Sequence, residues 1–249
     1  MNRLDCSDRD AAIDSVARLA GLGPSDLLRR LKHCSFEEMA ARATDEGCAP
    51  EDVLPKLILG GRLVVPSRPV EVMWFHGTRV IRATEFKNGL LPMAACLPGL
   101  VQMVEQLAVE AGLAVSDLNK GQKSSSQIGK LSVAGQSGPY ASLIREHVVH
   151  PQISDHNYLD GPEMVVDLAQ SVAGPYAPRV LDLYRSKTAP CIVWFLGLSA
   201  IEDVLACAMR YIYAVVHDEP DPAEWNTCFD GGGQAVPASR ILKREWLDG

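Results

Sequence analysis

The sequence contains no pair of cysteines at the C-x-x-C spacing of a zinc ribbon or a redox centre. Its seven cysteines are scattered singly over 249 residues, and their odd number leaves one unpaired in any set of disulfides. A zinc-ribbon fold and a disulfide framework are therefore disfavoured. Most of these cysteines are expected to be small buried apolar residues.

Positive charge is also scarce, with 24 Lys and Arg against 31 Asp and Glu and a formal net charge of −7. Such a balance gives no general attraction to nucleic acid or to an anionic membrane. No uncharged apolar run reaches the roughly 18 residues of a membrane span. Met1 to Asp10 lacks the basic and apolar segments of a secretory signal. We therefore expect a cytoplasmic protein that binds neither nucleic acid nor membrane, while delivery into a host cell would need a signal that composition does not reveal.

Several catalytic and metal-binding signatures are absent. The nearest match to a phosphate loop, residues 128–132, lacks the first glycine and the hydroxyl after the lysine. Residues 135–138 lack the G-x-S-x-G spacing of a hydrolase elbow. His147, His150 and His156 cluster in sequence, and the first two are spaced as on one helical face. No H-E-x-x-H accompanies them, and we predict no metal site.

The composition that is present, 47% hydrophobic and 22% charged residues, is typical of a packed globular protein. In residues 1–61, apolar residues at helical spacing and capping serines predict a module of short helices. Residues 62–249 change to apolar, β-branched runs separated by helical patterns, which indicate an α+β domain with a split or mixed sheet.

The second region predicts alternating short elements. An amphipathic helix over 96–112 precedes a polar, flexible surface loop over 119–138. Propensity and periodicity predict further helices over 140–149, 162–172 and 201–209, further strands over 62–65, 157–159, 191–196, 210–216 and 234–236, and a terminal amphipathic turn over 241–246.

The run from Val70 to Thr78 predicts a strand that ends in a histidine, a glycine and a threonine. Because strand side chains alternate between faces, His76 and Thr78 share one face. Gly77 between them lets a ligand approach the backbone closely. The pattern is typical of a ligand-gripping strand end, and equally of an ordinary strand that carries one hydrogen-bonded histidine.

Together with N-G-L-L-P at residues 88–92, this strand resembles the opening of the ADP-ribosyltransferase superfamily, in which a strand with H-G-T is followed by G-L-x-P. The resemblance implies that His76 hydrogen-bonds a ribose hydroxyl of NAD. It further implies that the Gly77 backbone holds the nicotinamide amide and that Thr78 lies near the adenosine.

The family's second element is a tyrosine on a short strand before a helix, and residues 157–160 are similar to it. The resemblance implies that Tyr158 packs on the nicotinamide, with Tyr176 as a second wall. His76 and Tyr158 lie 82 positions apart (158 − 76), which is long for a minimal domain of this type. Residues 93–150 are therefore expected to be an insertion suited to recognition of a protein target.

The third element is a late strand of the form E-x-x-V-P, which residues 233–241 resemble with Gln234 in place of the glutamate. A carboxylate stabilises positive charge at a reacting sugar carbon, whereas a neutral amide only orients a hydroxyl. Either Asp155, Asp160 or Asp230 supplies the charge beside Gln234, or the chain is a weak, atypical or purely NAD-binding member.

The resemblance as a whole implies a transferase that consumes NAD as its substrate and attaches ADP-ribose to a protein side chain. It extends to bacterial effectors that modify threonine on host ubiquitin, which makes ubiquitin the implied partner. Two alternatives stay open. One is a non-catalytic module that binds NAD or a protein, and the other is an unrelated hydrolase or transferase in which His76 is a general base with Asp155 or Asp160.

Overall fold

Two of the four N-terminal helices begin at a side chain that caps them. The computed structural model describes residues 3–60, 69–113, 138–150 and 156–247. In it, the side chain of Asp8 accepts a hydrogen bond from the backbone of Ala11 at 2.8 Å, and that of Ser35 from Glu38 at 3.1 Å. Each bond satisfies one of the donors that a helix N-terminus leaves unpaired. The predicted short helices of the N-terminal region are confirmed.

The described residues form helices and strands in the following order: β1 (Arg3–Leu4), α1 (Arg9–Leu19), α2 (Pro24–His33), α3 (Phe36–Glu46), α4 (Pro50–Leu59), β2 (Val70–Val80), α5 (Met93–Glu110), β3 (Tyr140–Ser142), α6 (Arg145–Val149), α7 (Glu163–Ala173), α8 (Ala177–Lys187), β4 (Ala189–Ser199), α9 (Ile201–Val216), β5 (Cys228–Asp230) and β6 (Ile241–Trp246). Among these helices, none has both the length and the apolar character needed to cross a bilayer.

The strands form an open, largely antiparallel sheet, which confirms the predicted α+β class. Their order is β5-β3-β2-β4-β6, and β1 lies parallel to the start of β2. Phe75 of β2 pairs with Ser142 of β3, and β6 runs antiparallel along β4 from Cys191 to Phe195. The strand that carries H-G-T thus has β3 on one side and β4 on the other.

Two predicted elements are wrong because packing overrides local propensity. Residues 210–216, although rich in β-forming side chains, continue α9 to Val216. Their helical conformation lets α9 pack against α1, α2 and α4, which outweighs the preference of these residues for strands. The predicted helix over 140–149 begins as strand β3, and only Arg145–Val149 is helical.

The chain divides into two compact units, one made of residues 1–75, 142–154 and 196–228, the other of 76–141, 155–195 and 229–249. In the second unit, α5, α7 and α8 bury a core that includes Val104, Leu107, Leu168, Val172 and Tyr184. All segments of the family resemblance from His76 onward belong to this unit. The boundary predicted after residue 61, the strand predicted over 62–65 and residues 119–137 of the loop predicted over 119–138 lie outside the described residues.

Candidate functional site

His76 lies within β2, which continues to Val80, rather than at the end of the strand. Its Nδ1 is 2.6 Å from the backbone carbonyl oxygen of Tyr140 on β3. Because a carbonyl oxygen can only accept, the geometry assigns the proton of this bond to Nδ1. The neutral ring therefore keeps Nε2 as an acceptor, which suits a sugar hydroxyl.

The surroundings of His76 favour the neutral form of its ring. Burial lowers the pKa of His76 below its ordinary value of 6.5, and the bond to Tyr140 opposes this shift only in part. A neutral imidazole can accept a hydrogen bond, whereas the protonated form has donors only. The environment of His76 thus maintains the form that binds a hydroxyl.

We expect the free energy of unfolding to fall as the pH is lowered through about 6.5, because unfolded His76 takes up a proton more readily than folded His76. This loss of stability is complete once the pH lies below the pKa of His76 in the folded protein. A His76→Gln variant should lack this part of the pH dependence in urea unfolding at about pH 7.5 and about pH 5.5. The same pH dependence in both proteins would contradict the lowered pKa.

The segment 138–140, which leads into β3, binds the third family-like element as well as His76. Gly231 donates its backbone N–H to the carbonyl of Pro139 at 3.0 Å, and Gly233 donates its backbone N–H to the carbonyl of Gly138 at 3.1 Å. A Cβ on Gly231 would lie 2.7 Å from Cδ of Pro139, so a side chain does not fit there. His76 and this glycine loop therefore meet on the same three residues.

Gln234 lies in an exposed turn and not in the predicted strand. Of residues 234–236, only Val236 pairs, in an isolated antiparallel bridge to Leu90 with two N···O distances of 2.9 Å. The glycine triplet before Gln234 bends the chain and delays the regular strand, β6, until Ile241. The C-terminal segment, predicted as a turn, is this strand because it pairs with β4. The Leu90 bridge joins the G-L-x-P segment to the V-P segment, 146 positions away (236 − 90).

Tyr158 lies in a turn rather than in the predicted short strand. The side-chain oxygen of Asn157 accepts from the backbone of Leu159 and Asp160, both at 3.2 Å, and closes an Asx turn before α7. The Tyr158 ring is 39% exposed and meets the His156 ring edge-on at 4.9 Å between centroids. Its exposed surface is available to a ligand, but a strand does not orient it.

Arg79 fixes this turn to β2. Its guanidinium donates to the carbonyls of Leu159, Arg185 and Thr188 at 3.1, 2.9 and 3.2 Å, and to the Thr188 hydroxyl at 3.0 Å. The carbonyls of Arg185 and Thr188 lie at the C-terminal end of α8, where carbonyls lack partners within the helix. Arg79 is three positions beyond His76, so strand alternation puts the two side chains on opposite faces of β2. The turn with Tyr158 is therefore anchored from the face away from the imidazole.

We expect Arg79→Ala to lower the free energy of unfolding by about 2 to 3 kcal/mol, because it leaves three carbonyls without their charged donor. Urea unfolding measures this loss. Arg79→Lys should recover little of the lost free energy of unfolding, since an ammonium cannot present the forked donors of a guanidinium. A loss below about 0.5 kcal/mol for the alanine variant would mean that these bonds do not stabilise the fold.

The structure separates the remaining predicted site residues by exposure and pairing. Thr78 is buried, with 8% of its surface exposed, whereas Tyr176 is 49% exposed at the end of a 3₁₀ turn before α8. Asp160 is held by Arg185, through Nε at 2.9 Å and Nη2 at 2.7 Å. Asp155 lies outside the described residues. Asp160 is thus neutralised by a fork-shaped ion pair and is poorly suited to act as the partner of a general base.

Two of the histidines that cluster in sequence bind main-chain carbonyls. Nδ1 of His147 lies 3.0 Å from the carbonyl of Ala223, and Nε2 of His156 lies 2.6 Å from that of Gly161. In the part of the chain that the structure describes, no group of three or more His, Cys, Asp or Glu side chains is arranged to hold a metal ion.

Tyr140 is the site residue that sequence reasoning missed. Besides holding His76 through its carbonyl, it presents a ring that is 37% exposed. Burial raises the pKa of the Tyr140 phenol, and the negative charges of Asp230 and Glu163 raise it further. The local sequence gives little signal for this strand, because only Tyr140 and Ile144 among residues 140–144 favour strands, although Gly138-Pro139 before them marks a turn.

A scan against protein-family models found no match to this chain, and searches of curated proteins and of solved structures likewise returned no similar protein.

Proposed function

We propose that this protein is an NAD-dependent ADP-ribosyltransferase, with NAD as its substrate and His76 and Gly77 as the centre of the NAD site. The observation that carries the proposal is the meeting of His76 and the glycine loop 231–233 on one segment, residues 138–140. These are the first and third elements of the family resemblance, and they come from opposite ends of the second unit. The Leu90–Val236 bridge joins the same two parts of the chain a second time.

The chemistry of the donor set fits a dinucleotide sugar. The free Nε2 of a neutral His76 accepts a ribose hydroxyl, and Gly77 leaves its backbone open to the amide of nicotinamide. Tyr140 and Tyr158 each offer a partly exposed ring, and a flat aromatic base packs well on such a ring. The transfer needs little activation of the nucleophile, so orientation of NAD and exclusion of water would dominate the rate.

The protein acceptor follows from the same resemblance. A macromolecular side chain, with threonine of host ubiquitin as the first choice, takes the ADP-ribose, and a bacterial effector or toxin acting inside a host cell is the setting we propose. The hydrolase alternative is less favoured, because Nδ1 of His76 is bound to a main-chain carbonyl and Asp160 to Arg185.

Incubation of the purified chain with NAD tests the proposal through the release of nicotinamide, measured by chromatography against heat-inactivated protein. We expect release, and a further rise when ubiquitin is added, together with labelled ubiquitin when the NAD carries a label on the adenylate. Binding of NAD without release would instead support the non-catalytic module. If the chain neither binds NAD nor releases nicotinamide, the NAD site is rejected.

A further inference from the structure

We propose that Asp230 is the catalytic carboxylate of this site, contacting the sugar from which nicotinamide leaves and supplying the charge that Gln234 lacks. This inference rests on the proposed function and names a further residue for the same reaction.

The reaction creates a need for negative charge at one place. The bond between C1′ of the ribose and the nicotinamide nitrogen breaks, and both electrons leave with nicotinamide, which becomes neutral. Positive charge then develops on C1′ and the ring oxygen until an acceptor oxygen bonds to C1′ and releases its proton to solvent. A fixed carboxylate stabilises this charge in the transition state, as in glycoside hydrolysis, whereas the amide of Gln234 carries no charge.

Among the acids that the structure describes, Asp230 is the candidate. Asp160 is occupied by the two-pronged ion pair with Arg185, and Asp155 lies outside the described residues. Asp230 is exposed, and its Oδ1 accepts the backbone N–H of Gly232 at 2.8 Å. This bond fixes the plane of the carboxylate, and Oδ2 makes no hydrogen bond or ion pair with the described part of the chain.

The strand order brings Asp230 to the second strand from that of His76. Asp230 ends β5, β5 lies next to β3, and β3 lies next to the strand of His76. Gly231, which follows Asp230, donates its backbone N–H to the carbonyl of Pro139. Pro139 directly precedes Tyr140, whose carbonyl accepts from His76. Strands lie about 4.8 Å apart, so the strands of the imidazole and the carboxylate are separated by about 10 Å. A sugar that carries its base can bridge such a span.

The phenol of Tyr140 reports the charge of Asp230. Burial is the largest cause of the raised pKa of Tyr140, and Asp230 comes next, ahead of Glu163. The charge of Asp230 thus acts on the Tyr140 phenol. Glu163, which begins α7, acts on the same phenol and is the rival acid.

The test compares Asp230→Asn with Glu163→Gln and Asp160→Asn in the full chain, measuring kcat/KM for nicotinamide release and the Kd for NAD. We expect Asp230→Asn to lower kcat/KM by about 100-fold while changing the Kd by less than about threefold, because the carboxylate acts on charge that exists only in the transition state. Asparagine keeps the oxygen that accepts from Gly232, so the loop should stay in place. If Asp230 is the catalytic carboxylate, neither Glu163→Gln nor Asp160→Asn should show a loss as large as about 100-fold.

Each other outcome overturns part of the scheme. If Asp230→Asn keeps its activity, or if the loss appears in Glu163→Gln instead, Asp230 is not the catalytic carboxylate although the proposed function stands. If the unaltered chain releases no nicotinamide, the proposed function fails and this inference fails with it. If Asp230→Asn loses activity because it loses charge, Asp230→Glu should recover part of that activity. Thermal unfolding of both variants checks that they fold.

Discussion

His76→Ala should lower nicotinamide release by about 100-fold, the usual effect of removing one oriented hydrogen-bonding group from an active site. The variant loses the Nε2 acceptor for a ribose hydroxyl and also the Nδ1–H that joins β2 to the carbonyl of Tyr140. The measurement is kcat/KM for release, with circular dichroism to compare the fold of the two proteins.

The chain offers a matched control in His147→Ala. Its Nδ1 also lies against a main-chain carbonyl, that of Ala223 at 3.0 Å, but His147 belongs to the unit that does not contain His76. We expect this variant to keep nearly full activity. Undiminished release by His76→Ala would discard the assignment of the NAD site, whatever the fate of the fold.

Gly89→Ala should lower the free energy of unfolding by about 3 kcal/mol, from about 1 to 2 kcal/mol of left-handed backbone strain plus the cost of a steric clash. Gly89 has φ of +77°, and an added Cβ would lie 1.9 Å from the carbonyl oxygen of Val236. That oxygen accepts the N–H of Leu90, so the bridge between the two segments must move. Nicotinamide release should fall in parallel.

Gly112→Ala separates the clash from the strain. Gly112 has φ of +88° with open space around its missing side chain, so alanine there should cost about 1 to 2 kcal/mol for strain alone. Thermal and urea unfolding of both variants give the comparison. Equal losses at the two positions would mean that the approach of Val236 to Gly89 does not constrain this part of the fold.

Local patterns predicted much of the fold correctly. The strand predicted over 70–78 is Val70–Val80 in the structure, and the helix predicted over 96–112 is Met93–Glu110. Both elements, like the Ser35 cap of α3, depend on periodicity and on groups a few residues apart. Such features can be read from neighbouring residues because the interactions that create them are local. Where packing decides, local patterns mislead, and the C-terminal half of α9 was predicted as a strand for this reason.

The sequence by itself determined the strand that carries His76, Gly77 and Thr78, and the α+β class of the chain. Only the tertiary structure decided that the imidazole is bound by the carbonyl of Tyr140, 64 positions away, that Tyr158 lies in a turn attached to Arg79, and that Asp230 lies two strands from His76. Side-chain periodicity tells which face of an element is apolar, but it carries no information about which distant backbone group will lie across from it. Those pairings arise from the order of strands in the sheet, which is why the composition of the candidate site required the fold.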